Sequence, residues 1–121
     1  MKVTILGSGG QIGAYLLEYL TKKGHAVVGI DVVDGPHNDL RVTPNTYVES
    51  AIESADFVFF LAFDVGGSRY LKKYQHTFEF VNNNTRIMAN TFRLLKKYNK
   101  QFVFASSQMS NMSYSPYGVM K

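Results

Sequence analysis

Apolar residues in this chain fall into short unbroken runs, separated by longer stretches in which they recur every three or four positions. The first run, Lys2-Val-Thr-Ile-Leu6, is β-rich and stops at Gly7-Ser-Gly-Gly10. Ile12, Leu16 and Leu20, with Leu17 beside them, then mark one face of a helix that ends near Gly24, a suitable C-cap. Ala26-Val-Val-Gly-Ile30 predicts a second buried strand, closed by Asp31 and by a polar loop whose turn signal is Asp34-Gly35-Pro36. A short helix is predicted from Thr46 to about Glu53, and a third strand over Phe57-Val-Phe-Phe-Leu61. Gly66-Gly67 break the chain. A long helix is predicted from about Thr77 to Tyr98, then a strand at Phe102-Val-Phe-Ala105.

Strands that alternate with helices, and that read as near-continuous apolar runs, imply a parallel sheet with helices on both faces. Right-handed crossovers make this a Rossmann-like open α/β sheet. The 121 residues are enough for one domain, and no repeat, low-complexity segment or linker divides residues 1–121. Phe57, Phe59, Phe60, Phe102 and Phe104 lie on predicted strands and are expected in the core. Helix packing is the expectation for Tyr70, Tyr74, Phe78 and Phe80, and the serine- and asparagine-rich stretch 106–115 reads as an exposed loop.

Composition narrows the function classes. Without cysteine there is no disulfide framework, thiolate metal site or cysteine nucleophile. No apolar run approaches the ~18 residues that span a membrane. The chain opens directly on a strand with no signal-like stretch, so a cytoplasmic protein without membrane partners is expected. The 13 basic residues outnumber the 9 acidic ones, but Lys22-Lys23, Lys72-Lys73 and Lys96-Lys97 are isolated pairs without interleaved aromatics. They support a mild attraction for phosphorylated ligands, and no nucleic acid is expected as a partner. His25, His37 and His76 lack the spacing of a metal site.

The candidate chemistry begins at the glycines. Gly7, Gly10 and Gly13 are spaced G-x-x-G-x-x-G between the first strand and the first helix. Glycines there permit a tight turn and let backbone N–H groups approach a pyrophosphate, while the helix N-terminus attracts its charge. Gly13 would let the helix pack closely. Asp31 ends the second strand 18 positions after Gly13. A carboxylate there can accept hydrogen bonds from both adenosine-ribose hydroxyls and repels a 2′-phosphate; no arginine accompanies it, so NAD is favoured over NADP. Asp64 follows the third strand at the same edge and is a further candidate contact.

Near the end, Tyr117 and Lys121 stand four residues apart, with Ser115 and Pro116 suited to start a helix. Positions i and i+4 share a helix face, and a nearby ammonium favours a phenolate. Tyr117 is therefore a candidate base for a substrate hydroxyl. Ser107, just beyond the fourth strand, is a candidate to hydrogen-bond the same oxygen.

Taken in order, these motifs resemble the extended short-chain dehydrogenase/reductase family, the NAD-dependent sugar-nucleotide epimerases and dehydratases, from Met1 to Lys121. Gly7, Gly10 and Gly13, with Gln11 and Ile12 between the last two, match its phosphate loop, and Asp31 its ribose aspartate. Asp39-Leu40 resemble the acidic-aliphatic pair that contacts adenine. Leu61-Ala62-Phe63 resemble its L-A-A segment beside the cofactor, with Phe63 replacing the second alanine. Asn84 resembles its structural asparagine, and Ser107, Tyr117 and Lys121 its catalytic serine, tyrosine and lysine. The resemblance implies hydride transfer between NAD and a sugar-nucleotide carbon. Tyr117 would be the acid/base, Lys121 its electrostatic partner and a ribose contact, and Ser107 the oxygen-positioning donor.

Leu61 to Gly67 and Asn83-Asn84-Thr85 are most similar to the GDP-mannose epimerase and GDP-fucose synthase branch. That branch commonly places a cysteine just after the catalytic serine, where this chain has Gln108 and Met109; the 4,6-dehydratases carry an aspartate-glutamate pair there. Redox at a sugar carbon, as in a 4-epimerase or reductase, is what the resemblance leaves. The family's connection from serine to tyrosine is usually longer than the nine residues here, and its C-terminal substrate-binding portion does not follow. The chain is thus expected to be the N-terminal fragment of a longer enzyme and inactive by itself. An uncovered sheet edge would favour self-association as a homo-oligomer. The rivals are a non-catalytic NAD-binding module or regulator and, less well supported, a nucleic-acid binder.

Overall fold

A computed structural model describes residues 1–65, 68–107 and 115–121. Strands β1 (Lys2–Leu6), β2 (Ala26–Ile30), β3 (Phe57–Phe60) and β4 (Gln101–Phe104) form one parallel sheet in the order β2-β1-β3-β4. Helices α1 (Gln11–Lys22), α2 (Thr46–Glu53), α3 (Ser68–Tyr74), α4 (Phe78–Lys97) and α5 (Pro116–Met120) complete the chain. The strand order reverses direction beside β1, which leaves a crevice at the carboxyl ends of β1 and its neighbours.

Local chemistry explains where the helices begin. Asn45 accepts a hydrogen bond from Val48 N–H at 3.1 Å and starts α2. Thr77 accepts from Phe80 N–H at 3.2 Å and starts α4, with Glu79 in its first turn and Lys96 and Lys97 in its last. Helix α1 is different: Gly10 caps it with no side-chain hydrogen bond, so its first N–H groups are left for something else.

The alternation of the strands builds two unequal faces. Leu6, Ile30, Val58 and Phe60 point to one side, where Val48, Ala51 and Ile52 of α2 and Ile87, Leu94 and Leu95 of α4 close over them. The Phe60 ring packs on Phe92 and Phe104, with centroids 5.2 and 5.1 Å away. Thr4 is buried on the same side and donates to the Ala51 carbonyl at 2.8 Å. The opposite face carries α1 over β1 and β2, where Leu17 lies against Gly29.

Two expectations need correction here. Of the five strand phenylalanines, Phe60 alone is fully buried; Phe57, Phe59 and Phe104 are half-buried and Phe102 is 41% exposed. Strand β4 lies at the edge of the sheet, with β3 as its one strand neighbour among the described residues. Ile12, expected on the inward stripe of α1, is 71% exposed in its first turn. The chain break at Gly66-Gly67 and residues 108–114 of the predicted loop, Gln108 and Met109 among them, lie outside the described residues.

Phe60 and Phe102 lie on the same sheet face, one on an inner strand and one on the edge strand, and their unequal burial predicts unequal costs of removal. Phe60→Ala should lose about 3–5 kcal/mol of stability. Phe102→Ala should lose no more than about 1 kcal/mol. Urea denaturation of both variants measures the difference.

Candidate functional site

The glycine turn is shaped by what glycine lacks. A Cβ on Gly13 would lie 2.1 Å from the Gly7 carbonyl oxygen, and one on Gly7 would lie 2.8 Å from the Ala62 nitrogen. Gly7 also takes φ +94°, a conformation that side chains disfavour. The turn is fixed to β2 by Gly7 and Ser8 N–H groups donating to the Ile30 carbonyl at 2.8 and 3.3 Å. Gly10 N–H closes the turn on the Gly7 carbonyl at 3.3 Å, and Gln11, Ile12 and Gly13 follow with the first backbone N–H groups of α1, the Gln11 and Ile12 side chains facing solvent.

Asp31 is joined to the same turn. Its Oδ2 accepts from Gly9 N–H at 2.8 Å and its Oδ1 from Val33 N–H at 3.2 Å. Each carboxylate oxygen thus retains an acceptor position, as two ribose hydroxyls require. Gly9 was not among the expected site residues, yet a Cβ there would press 2.9 Å from the Asp31 carboxyl carbon. The G-x-x-G-x-x-G spacing hides it, because its role depends on a residue 22 positions away.

A cleft of about 290 Å³ opens beside this junction, bordered by Gly7, Gly10, Asp31, Asp39, Leu40, Leu61, Ala62, Phe63 and Asp64. Arg41 also lines it, which corrects the expectation that no arginine accompanies Asp31. Its guanidinium is engaged by Asp39: Nε donates to Oδ1 at 2.9 Å and Nη2 to Oδ2 at 2.8 Å, with a backbone bond at 3.0 Å to Oδ1. That bonding holds the Asp39 carboxyl below the usual carboxylate range.

The loop after β3 is held by a buried amide. Asn84 is 0% exposed; it accepts from Asp64 N–H at 2.6 Å and donates to the Asp64 and Phe80 carbonyls at 3.0 Å each. All of this bonding is with the protein itself, so Asn84 serves the cleft by fixing its wall. Asp64 lines the cleft while its Oδ2 accepts from Asn83 at 3.1 Å.

At the far end stands α5. Ser115 caps it by accepting from Gly118 N–H at 3.1 Å, and donates to Gln75 Oε1 at 2.5 Å. Gln75, which no motif singles out, also accepts from Tyr117 N–H at 3.4 Å. Lys121 Nζ donates to the Ala105 carbonyl at 2.7 Å and lies 4.2, 4.7 and 6.0 Å from the ring centroids of Phe63, Phe104 and Tyr117. Burial pushes its ammonium down to about 8. Tyr117 stacks edge-on to Phe63 at 5.5 Å. Ser106 donates to the Lys121 carbonyl at 3.1 Å, so α5 ends against the exit of β4, where Ser107 is half-buried.

A profile of the NAD dependent epimerase/dehydratase family matches residues 3–116. The chain belongs to that family. Membership makes the cofactor a nicotinamide dinucleotide, and the glycine cradle, the uncapped α1 and the free acceptor positions on Asp31 fit one. The chain is 30% identical to the GDP-mannose 3,5-epimerase of Arabidopsis thaliana and 29% identical to GDP-mannose 3,5-epimerase 1 of Oryza sativa subsp. indica, each over 88% of this chain. It spans 31% of the length of these relatives.

The same fold recurs in solved structures. A GDP-mannoheptose C4 reductase from Campylobacter jejuni with NADP bound superposes with a TM-score of 0.70 at 20% identity, covering 99% of this chain and 43% of the reductase. A UDP-N-acetylglucosamine 4-epimerase from Bacillus cereus gives a TM-score of 0.66 at 17% identity, covering 99% of this chain and 49% of the epimerase. Both likenesses establish the Rossmann-like fold. Among the described residues, no helix is long and apolar enough to cross a membrane.

Two measurements test the geometry. Gly13→Ala must open the turn, so it should cost about 1–3 kcal/mol of stability by urea denaturation and shift the backbone amide resonances of the Gly7–Gly10 turn. Lys121 binds its proton less tightly folded, at about 8, than at its ordinary 10.5, so the unfolded chain holds more protons between those values. Stability contributed through Lys121 therefore rises with pH across that window, and the cost of burying its charge is complete below it. Thermal melts of wild type and Lys121→Met should show the wild type gaining on the variant between neutral pH and roughly pH 10.

Proposed function

We propose that this chain forms the dinucleotide-binding part of an epimerase or reductase acting on a nucleotide sugar, with NAD as its cofactor. One observation carries the reading: one cleft is bordered both by Gly7, Gly10 and Asp31 and by Phe63, against whose ring Tyr117 and Lys121 are packed. The relatives named GDP-mannose 3,5-epimerase and the reductase and epimerase of similar fold support a nucleotide-sugar substrate.

In this reading the N–H groups at the start of α1 hold the pyrophosphate, and Asp31 accepts from the adenosine ribose. Asp39 and Leu40 border the adenine, and Leu61, Ala62 and Phe63 form the wall leading to the reacting end. A bound nicotinamide supplies a hydride acceptor. Tyr117 takes the proton of the substrate hydroxyl at its phenolic oxygen, and Lys121 supplies positive charge that favours the phenolate. Ser107 donates a hydrogen bond to the same substrate oxygen. A homo-oligomer in solution is part of the proposal, since β4 exposes an edge and an apolar face.

Calorimetric titration of NAD into the chain tests the binding step. Saturable binding is expected, and Asp31→Ala should weaken it about ten-fold, the loss of charge-assisted hydrogen bonds to the ribose. No heat of binding to wild type would sink the proposal. In a longer protein that contains this segment, turnover of a nucleotide sugar should fall at least about a hundred-fold on Tyr117→Phe. NAD binding with turnover indifferent to that change would leave a non-catalytic dinucleotide-binding module.

A further inference from the structure

Phe63 is where this chain departs from the small residue that its motif resemblance leads one to expect, and the structure gives the larger side chain several neighbours. Its ring borders the cleft. It meets Tyr117 edge-on, with centroids 5.5 Å apart and planes at 80°, and Phe80 at 6.3 Å and 67°. The Lys121 ammonium lies 4.2 Å from its centroid. An aromatic ring attracts a cation to its face and packs favourably edge-to-face with another ring, so one side chain can hold both groups by different parts of the same quadrupole.

The two sides of this contact differ in rigidity. Phe63 precedes Asp64, whose N–H and carbonyl are both bound by the buried Asn84 amide. Phe80 behind it is 2% exposed on the first turn of α4. Helix α5, in contrast, has only five residues, too few to persist without packing. Its start is tied to Gln75 and its end to Ala105 and Ser106. Between those ties, Phe63 is the loop side chain that both Tyr117 and Lys121 touch. We propose that Phe63 is a positioning residue, whose ring, on the border of the cleft, seats Tyr117 and Lys121 together on its far side. This rests on reading those two residues as the acid/base pair.

A filler role and a positioning role make different predictions. The groups facing the Lys121 ammonium are the Ala105 carbonyl and the rings of Phe63, Phe104 and Tyr117. Phe63→Leu keeps apolar volume and removes the ring, so Lys121 keeps its burial and loses an attraction for its charged form. The titration of the Lys121 side chain, followed by NMR in the labelled chain, should then move down by roughly half a pH unit. Phe63→Tyr keeps the ring and should leave the titration where it is. Phe63→Ala admits water and should move it up, towards ordinary lysine.

A Leu variant whose Lys121 titrates as in wild type overturns the proposal, as does a Tyr variant that shifts as far as Leu. Should the Ala variant fail to fold, the Leu and Tyr pair decides the matter. NAD titration of the same proteins keeps the two readings apart. Absent binding to wild type removes the dinucleotide function, whereas an unmoved Lys121 in a protein that binds NAD removes only the role of Phe63.

Discussion

The structure depends on a close approach between backbones that no side chain could survive. With 2.1 Å between a would-be Gly13 Cβ and the Gly7 oxygen, α1 can be seated directly on the turn that follows β1. The same turn meets Ala62 through Gly7 and Asp31 through Gly9. Three segments that are distant in sequence are thereby brought together: the turn, the end of β2 and the start of the loop after β3. The cleft is the space left between them. Its shape is set by missing Cβ atoms as much as by contacts made.

Helix α4 is the strut that keeps the cleft's borders apart and fixed. Asn84 holds Asp64 in the loop after β3, while Asn90, further along the same helix, donates to the Leu40 carbonyl in the loop after β2 at 3.0 Å. Both amides act on main-chain atoms of segments that line the cleft. The helix itself is anchored by Ile87, Leu94 and Leu95 in the main core. Packing energy gathered beneath the sheet is thus transmitted to loop positions at its edge, which is how irregular segments acquire a defined geometry.

Much of this could be read from the sequence because periodicity and end signals coincide. The helix over Thr46–Glu53 was legible from apolar spacing, and the long helix from its pattern between Thr77 and Tyr98. The glycines and Asp31 were legible because their context, strand before and helix after, is itself local. The short helix α3 and the turns at Val32–Asp34 and Pro36–Asn38 were not, since brief elements carry no full period. Phe57 and Phe59 were placed in the core because a strand pattern reports that two faces exist, not which face a helix covers; Phe102 shares the face of Phe60 and packs on Phe92, but lies on the edge strand. Gly9 and Gln75 escaped because their partners, Asp31 for the one and Ser115 and Tyr117 for the other, are brought near only by the fold. Arg41 escaped because its pairing with Asp39 is local and carries no sign that the loop faces the cleft. Phe63 showed up as a departure from a motif, but its contacts with Tyr117 and Lys121 span more than fifty residues.

The two ends of the cleft differ in kind, and that difference constrains what can lie along it. One end offers backbone N–H groups, the Asp31 carboxylate and the paired Asp39 and Arg41, all suited to phosphate, hydroxyl and base edges. The other is bordered by the ring of Phe63, with Tyr117 and the half-buried Lys121 ammonium packed against that ring rather than lining the cleft. A small anion would satisfy the first end and leave the second unused, and an apolar molecule would do the reverse. An extended ligand with a charged middle and a planar ring at one end satisfies both. A dinucleotide has that form, so the division of chemistry along the cleft argues for the same cofactor as the glycine turn, and does so through residues the turn does not contain.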